Sequence, residues 1–419
     1  MRLGIHTKEF VRKHRVVLAN LSYISILQLV LLAAPLITYP YLVRILGREL
    51  YGMVLTAQML VSYASLIIDF GSNNVCAKHV SLHRDNNVKL SEIVSSVLCV
   101  RVLLWCCAFF VYIGIVWLVP AYRAYWVLFL ISYGLTIQEL LFPQYFFQGI
   151  EQMKYITIVH TIIRVTFIVL VFVAVKQETD YLYFPVLYTI GYLLGGIYAL
   201  HLIFNKMRVR FYVPSFKTML FYVKDASPLL ATDLICTIKD KINYLFVGAF
   251  VGMGEVVIYD LGLRLNGLLN KPTNILSTVL LPRFAQTKNL RAAKNVITWS
   301  LIVNVLLYAG VNLVLPYLVE FFIHEPIDVL PIRILLLGPV ILSVSAMICY
   351  IVFIAMGYNT YVLKSIVATT IVYLVALGIA FMGGYKHELY TYVIVAVIAY
   401  AAELFYRLWA VKKIRLSIK

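Results

Sequence analysis

The chain has 419 residues, 62% of them hydrophobic and only 13% charged, against about 45–50% apolar and about 25% charged in soluble globular domains. That balance excludes an ordinary soluble domain and points to a polytopic membrane protein. The formal net charge of +17 is not a nucleic-acid signature, because Lys and Arg gather in short loops and tails, the pattern of the positive-inside rule.

The N-terminus, MRLGIHTKEFVRKHR, is basic and leads into an apolar run over 16–45. The run is too long for a signal-peptide core and lacks a small-residue cleavage site, so it reads as a retained first helix behind a cytoplasmic tail. Hydrophobic segmentation then gives twelve spans, at 18–43, 52–72, 93–119, 125–147, 156–175, 182–204, 228–250, 256–281, 295–322, 331–356, 364–382 and 390–410. All connections are short, the longest being 205–226, and none has room for an extramembrane domain. With the N-terminus inside, about 23 Lys and Arg fall on the inner side and about 6 on the outer, a bias that predicts both termini in the cytoplasm. The expected fold is therefore all-α, with about twelve transmembrane helices in two six-helix bundles. The first bundle covers 1–204, a cytoplasmic connecting loop 205–227, and the second bundle 228–419.

The two halves echo each other. YLVRILGRELYGMVLTAQML from Tyr41 and FVGAFVGMGEVVIYDLGLRL from Phe246 each run through a span, a Gly turn with a Glu, and the start of the next span. Six spans per half make such repeats parallel, related by an axis along the membrane normal. Prolines at Pro35, Pro40, Pro143, Pro185, Pro272, Pro282, Pro316 and Pro339 each remove a backbone bond and allow a bend, although membrane helices also tolerate Pro without one.

Charge inside the spans carries the functional signal, since each charge at bilayer depth costs roughly 2.5–3.5 kcal/mol on insertion scales. In the eighth span Asp260, Arg264 and Lys271 share a face, beside a row of Asn266, Asn270 and Asn274. In the seventh, Asp225, Asp233 and Asp240 share a face and Lys239 and Lys241 flank Asp240. Two readings stand side by side. In one, Arg164, Lys239, Lys241, Arg264 and Lys271 line a wet cavity for an anionic group. Asp69, Glu139, Asp233, Asp240 and Asp260 then tune them or carry coupling ions. In the other, pairs such as Asp260–Arg264 only neutralise each other and dock helices. Arg101 is expected to snorkel to the cytoplasmic interface, and Glu403 stands isolated in the last span.

No P-loop, no H-E-x-x-H or clustered His and Cys ligands, and no G-x-S-x-G occur in the sequence. The reading is a non-enzyme with no cofactor and no metal. The six cysteines, Cys76, Cys99, Cys106, Cys107, Cys236 and Cys349, sit mostly in apolar runs and read as packing residues.

Several stretches resemble the polysaccharide transporter family. These are the O-antigen and capsule oligosaccharide flippases of the multidrug/oligosaccharidyl-lipid/polysaccharide exporter superfamily. The stretches are NLSYISILQLVLLAAPLITYPYLVRILGRELYG from Asn20, HRDNNVKLSEIVSSVL from His83, PQYFFQGIEQMKY from Pro143, VGAFVGMGEVVIYDLGLRL from Val247 and LPRFAQ from Leu281. Gln144 departs from the aromatic residue that pattern favours. The resemblance implies a flippase that moves a polyprenyl-diphosphate-linked oligosaccharide from the cytoplasmic to the outer leaflet by alternating access. A gradient of H+ or Na+ would drive it, in a bacterial inner membrane beside polysaccharide polymerase machinery, with lipid as its surroundings. Two alternatives stay open. A multidrug or cation exporter of the same superfamily calls for an anionic, aromatic cavity. A major-facilitator sugar permease calls for a G-x-x-x-D-R-x-G-R-R connection that GSNNVCAKHVSLHRDN does not supply. An integral-membrane polymerase or ligase calls for a sizeable outer loop, and none is present.

Overall fold

A computed structural model describes the backbone of residues 15–418, and their side chains except at 15–18, 21, 236, 239, 240, 290 and 415–418. The tail at 1–14, read above as cytoplasmic, lies outside the described residues. Every regular element among the described residues is a helix. Nine helical stretches among them are long and apolar enough to cross a membrane. The first, Ser22–Leu82, holds two of the sequence segments. The segments at 228–250 and 256–281 fall on the helices Phe216–Phe246 and Met253–Thr287, whose apolar runs charged residues interrupt. Large apolar side chains stand outward on these helices: Phe110 is 74% exposed, Leu306 66% and Leu313 79%. Water penalises such a surface, whereas hydrocarbon matches it.

The chain divides into two compact units. Unit 1 comprises Met1–Gly47 and Ala57–Leu234. Its spans are repeatedly broken. The helix Arg15–Asp69 leaves helical geometry at Gly47, where φ 73 and ψ 164 suit only glycine. Phe70 and Gly71 turn the chain into Ser72–Leu82, and Gly71 lies against the Ala226 carbonyl. The fourth segment is split into Trp126–Tyr133, a 3-10 turn, Ile137–Leu141 and Gln144–Gly149, because Pro143 cannot continue a helix. Gly191 and Gly195, four apart on Tyr183–His201, let that helix approach Met153–Ala174. A Cβ at either would lie within 3.0 Å of Ile163 or Val159. Small residues at this spacing are the usual means of close helix packing in lipid, where no hydrophobic drive holds helices together.

Unit 2 comprises Arg48–Thr56 and Ile235–Lys419. A π-helical turn, Val247–Val251, precedes Gly252, whose φ of 148 ends one helix and opens Met253–Thr287. Gly47 and Gly252 hold the same place in the two sequence repeats, and both adopt backbone that other residues avoid. The apolar core at the opposite end of unit 2 joins Phe284, Met347, Ile351, Phe353, Ala410 and Ile414. The short segment Arg48–Thr56 packs closely on this unit. A Cβ at Gly52 would lie 1.8 Å from the Met253 carbonyl oxygen.

This geometry separates two glycines of similar context. Gly52→Ala forces a backbone shift at Met253 and is expected to lower the thermal midpoint in detergent, by about 1–3 kcal/mol of overpacking. Gly114, inside the helix Asn87–Leu118, has nothing within 4 Å of a Cβ. Gly114→Ala is expected to be neutral or to stabilise by up to about 1 kcal/mol. Equal midpoints for the two variants would contradict the close fit.

Candidate functional site

Unit 1 organises its charge around Arg101. This residue sits on Asn87–Leu118 and is 1% exposed. Its Nη2 donates to Asp69 Oδ1 at 2.7 Å, to Ser72 Oγ at 2.7 Å and to Asn73 Oδ1 at 3.2 Å. Nε donates to Ser72 Oγ at 3.2 Å, and Nη1 to the Glu139 carbonyl at 2.6 Å. The guanidinium also lies 5.3 Å from the Tyr145 ring centroid. The sequence expectation that Arg101 snorkels to an interface is therefore wrong. The breaks at Asp69–Gly71 and at Leu141–Gln144 bare backbone and place polar side chains, and a planar five-donor cation satisfies both at once. Glu139 lies beside this node, within electrostatic reach of Arg101 and Asp69, and Asp233 within reach of Asp69.

Arg164 is the second cation of unit 1. It sits half-buried on Met153–Ala174. Nη1 donates to the Tyr188 hydroxyl at 2.5 Å, and the guanidinium carbon lies 4.9 Å from the same ring's centroid. Tyr188 stacks on Phe167, with centroids 3.7 Å apart, and on Tyr192. Tyr192 is within electrostatic reach of both Arg164 and Glu139. Tyr192 thus lies near both the Arg164 and the Glu139 side chains.

Unit 2 has a parallel arrangement on Met253–Thr287. Asp260 is 2% exposed, and Arg264, one turn on, donates from Nε to Asp260 Oδ2 at 2.5 Å. The Tyr244 hydroxyl donates to the other oxygen at 2.9 Å. Arg264 keeps 28% of its side chain exposed, so the carboxylate is buried and the cation is half-buried. Asn270 donates to Asn266 Oδ1 at 2.7 Å, and Asn266 to the Leu335 carbonyl at 3.0 Å. The asparagine row therefore ties this helix to the break after Leu335. Lys241 and Lys271 are half-buried. The side chains of Lys239 and Asp240 lie outside the described residues. Asp225, which the sequence put on one face with Asp233 and Asp240, pairs with His79 at 2.8 Å in unit 1.

Two further clusters escaped the sequence reading. Asn243 is 1% exposed. It donates to the Tyr259 hydroxyl at 2.9 Å and accepts from the Tyr373 hydroxyl. A lone asparagine in an apolar run gives no sequence signal for partners so far along the chain. Glu403 is not isolated. It pairs with Arg407 at 2.9 Å and accepts from Ser345 Oγ at 2.9 Å. Here the i,i+4 spacing of Glu403 and Arg407 was the available signal.

Outside the spans, Asp328 accepts hydrogen bonds from the Tyr390 hydroxyl and, at 2.9 Å, from the Leu330 N–H. These bonds hold its carboxyl below the usual carboxylate range. Asp328, Arg48, Glu255, Glu388 and Tyr390 wall a cavity of about 440 Å³ in unit 2. Among the described residues, no group of three or more His, Cys, Asp or Glu is placed to hold a metal ion.

Comparison with known proteins bears on the family and the fold. A family model described as "Polysaccharide biosynthesis protein" matches residues 17–288. A protein of Escherichia coli K12 bearing the provisional name O-antigen transporter is 23% identical over 278 residues, covering 66% of this chain and 67% of the relative. A Shigella dysenteriae protein with the same provisional name is 27% identical over 222 residues, covering 52% of this chain and 54% of the relative. Among solved structures, an inward-facing multidrug resistance MATE family transporter of the MOP superfamily superposes with a TM-score of 0.71 at 14% identity, over 95% of this chain and 98% of its own. An outward-facing MATE transporter gives 0.60 at 14% identity, over 96% and 95%. At this identity the likeness establishes the fold.

The Arg101 node predicts an asymmetry in stability. Arg101→Ala leaves the Asp69 carboxylate without its cation and is expected to cost about 3–5 kcal/mol, read as a large fall in the detergent melting midpoint. Arg84→Ala removes a contact 3.9 Å from Glu151 with both side chains 55% exposed, and is expected to cost under about 1 kcal/mol. A wild-type midpoint for Arg101→Ala would show that the node does not hold unit 1 together.

Proposed function

Because the chain belongs to the polysaccharide biosynthesis protein family, we propose that it carries a polyprenyl-diphosphate-linked oligosaccharide from the cytoplasmic to the outer leaflet of a bacterial inner membrane. The observation that carries this reading is Arg264. It is a cation on an otherwise largely apolar helix, paired with a buried carboxylate and still 28% exposed. A diphosphate is anionic and needs charged donors in a partly desolvated site, where each such bond is stronger than in water. In unit 2, Lys239, Lys241 and Lys271 act with Arg264 on the headgroup, and Arg164 is the corresponding cation of unit 1. The prenyl tail stays in lipid.

Coupling to H+ or Na+ falls to the carboxylates. Asp69 and Glu139 face one arginine, so one of the two carries charge that a proton or a sodium ion offsets. Asp233, near Asp69, extends that set, and Asp240 and Asp260 are its counterparts in unit 2. Transport by alternating access lets such ions bind and leave on opposite sides of the membrane. Polymerase machinery at the outer leaflet is the natural acceptor of the product.

The test is leaflet exchange in proteoliposomes, using a fluorescent polyprenyl-diphosphate oligosaccharide and an external glycosidase. Wild type is expected to accelerate exchange over empty liposomes. Lys271→Gln and Arg164→Gln are each expected to slow it at least tenfold with normal membrane insertion. For Arg264 the informative variant is the neutral pair Asp260→Asn with Arg264→Gln. It is expected to keep wild-type melting yet transport poorly. If it transports normally, the pair only docks helices. If wild type moves organic cations but no lipid-linked glycan, the exporter alternative takes its place.

A further inference from the structure

One end of unit 2 carries cations without counter-charges. The helix ends around Phe284, Ala293, Phe353, Tyr358 and Ile414 meet there in one apolar cluster. The chain stretches that form this end, 283–298, 356–364 and 404–419, hold ten Lys and Arg and no Asp or Glu. Of these cations Arg407 pairs with Glu403, which lies outside the three stretches.

A cavity of about 390 Å³ opens in this end, wholly within unit 2. Its walls are Leu290–Ile323, Leu337–Met347 with the π-helical continuation Ile348–Ile354, and Leu389–Ile418. Each wall presents an apolar strip at helical spacing. Ile297 comes from the first, Val344, Ile348 and Val352 from the second, and Leu408 and Val411 from the third. Ile348 and Val352 belong to the buried apolar cluster, so the floor of the cavity is core. Three lining residues are polar. The Thr298 hydroxyl donates to the Lys294 carbonyl of its own helix at 3.0 Å. The other two are Lys294 and Lys412, and both are exposed. Trp409 stands one turn before Lys412, and Trp299 five residues after Lys294; they are 48% and 66% exposed. Exposed tryptophans on apolar helices favour the boundary between lipid headgroups and hydrocarbon.

We propose that this cavity binds an anionic glycerophospholipid, with its phosphate between Lys294 and Lys412 and one acyl chain along the strip Val344–Ile348–Val352. The two halves of the site exclude other occupants together. A soluble phosphate would leave the apolar strips facing water, which penalises them. An uncharged lipid would leave two ammonium groups without an anion, and an organic cation would be repelled by a surface with no carboxylate. Basic pockets between membrane helices recognise acidic lipid headgroups by this combination. The charge count of the sequence puts this end on the inner side, so the lipid is one of the inner leaflet. The site is separate from Arg264 and its partners, and its test needs no transport.

The test is native mass spectrometry of the full-length protein in detergent, titrated with dioleoyl phosphatidylglycerol or dioleoyl phosphatidylcholine. Each lysine near an acidic lipid is worth about fivefold in affinity. Wild type is expected to take its first phosphatidylglycerol at least tenfold below the concentration needed for phosphatidylcholine. Lys294→Gln with Lys412→Gln is expected to lose that preference and keep the wild-type melting midpoint. Lys288→Gln with Lys364→Gln, which removes the same charge outside the cavity, is expected to keep the preference. Val344→Trp fills the cavity, leaves both lysines in place, and is expected to weaken phosphatidylglycerol binding at least fivefold. Equal affinity of wild type for the two lipids, or an unchanged preference in the Lys294/Lys412 variant, overturns the site. Displacement of phosphatidylglycerol by millimolar inorganic phosphate would overturn it in favour of a free-anion site. Tighter binding of polyprenyl phosphate would overturn it in favour of a station for the carried lipid. Should the double variant melt early, Lys412→Gln alone decides, with an expected loss of about fivefold in the preference and no loss as the contrary result.

Discussion

Asp69–Arg101 in unit 1 and Asp260–Arg264 in unit 2 answer one constraint, the cost of burying charge among apolar helices. Neither charge of such a pair could stay in a dry apolar span alone, because desolvation would exceed any gain from packing. The two pairs meet the constraint differently. Arg101 is fully enclosed and spends its donors on side chains and on carbonyls freed by helix breaks. Arg264 pairs with a buried carboxylate that also accepts from the Tyr244 hydroxyl, and it stays half-buried. The first arrangement encloses its cation, and the second leaves its cation partly exposed. The functional proposal depends on that difference.

Breaks in the helices are the second recurring device. Gly47 and Gly252 turn the chain between successive segments, and Phe70–Gly71, Phe142–Pro143 and the π-helical stretch Ile348–Ile354 interrupt helices. Irregular backbone is tolerated in a membrane only where protein or a wet cavity satisfies it. Arg101, Asn266 and Arg407 do this by bonding carbonyls of Glu139, Leu335 and Ser345. Polar side chains among the described residues thus bond backbone as well as one another.

Much of this was legible in the sequence where the information was local. The i,i+4 spacing of Asp260 and Arg264 and the asparagine row one face over predicted a polar stripe, and the structure has one. The Gly turns at Gly47 and Gly252 were visible as repeat punctuation. Arg101 was misread because its partners Asp69, Ser72 and Glu139 come from other helices, and only tertiary packing brings them within bonding distance. Asn243 was invisible for the same reason. Glu403 was misjudged although Arg407 stood one turn away. The docking of Arg48–Thr56 on unit 2 had no sequence signal beyond the repeat, because a close glycine contact leaves no charge or periodicity to read.

The central claim is that intramembrane cations handle an anionic lipid-linked glycan. The most direct measurement compares wild-type leaflet exchange for one oligosaccharide carried on a polyprenyl diphosphate, on a polyprenyl monophosphate and on an uncharged lipid. The account predicts that exchange falls in that order, with the uncharged lipid close to the protein-free rate. Equal rates for all three, or fastest movement of the uncharged lipid, would contradict it.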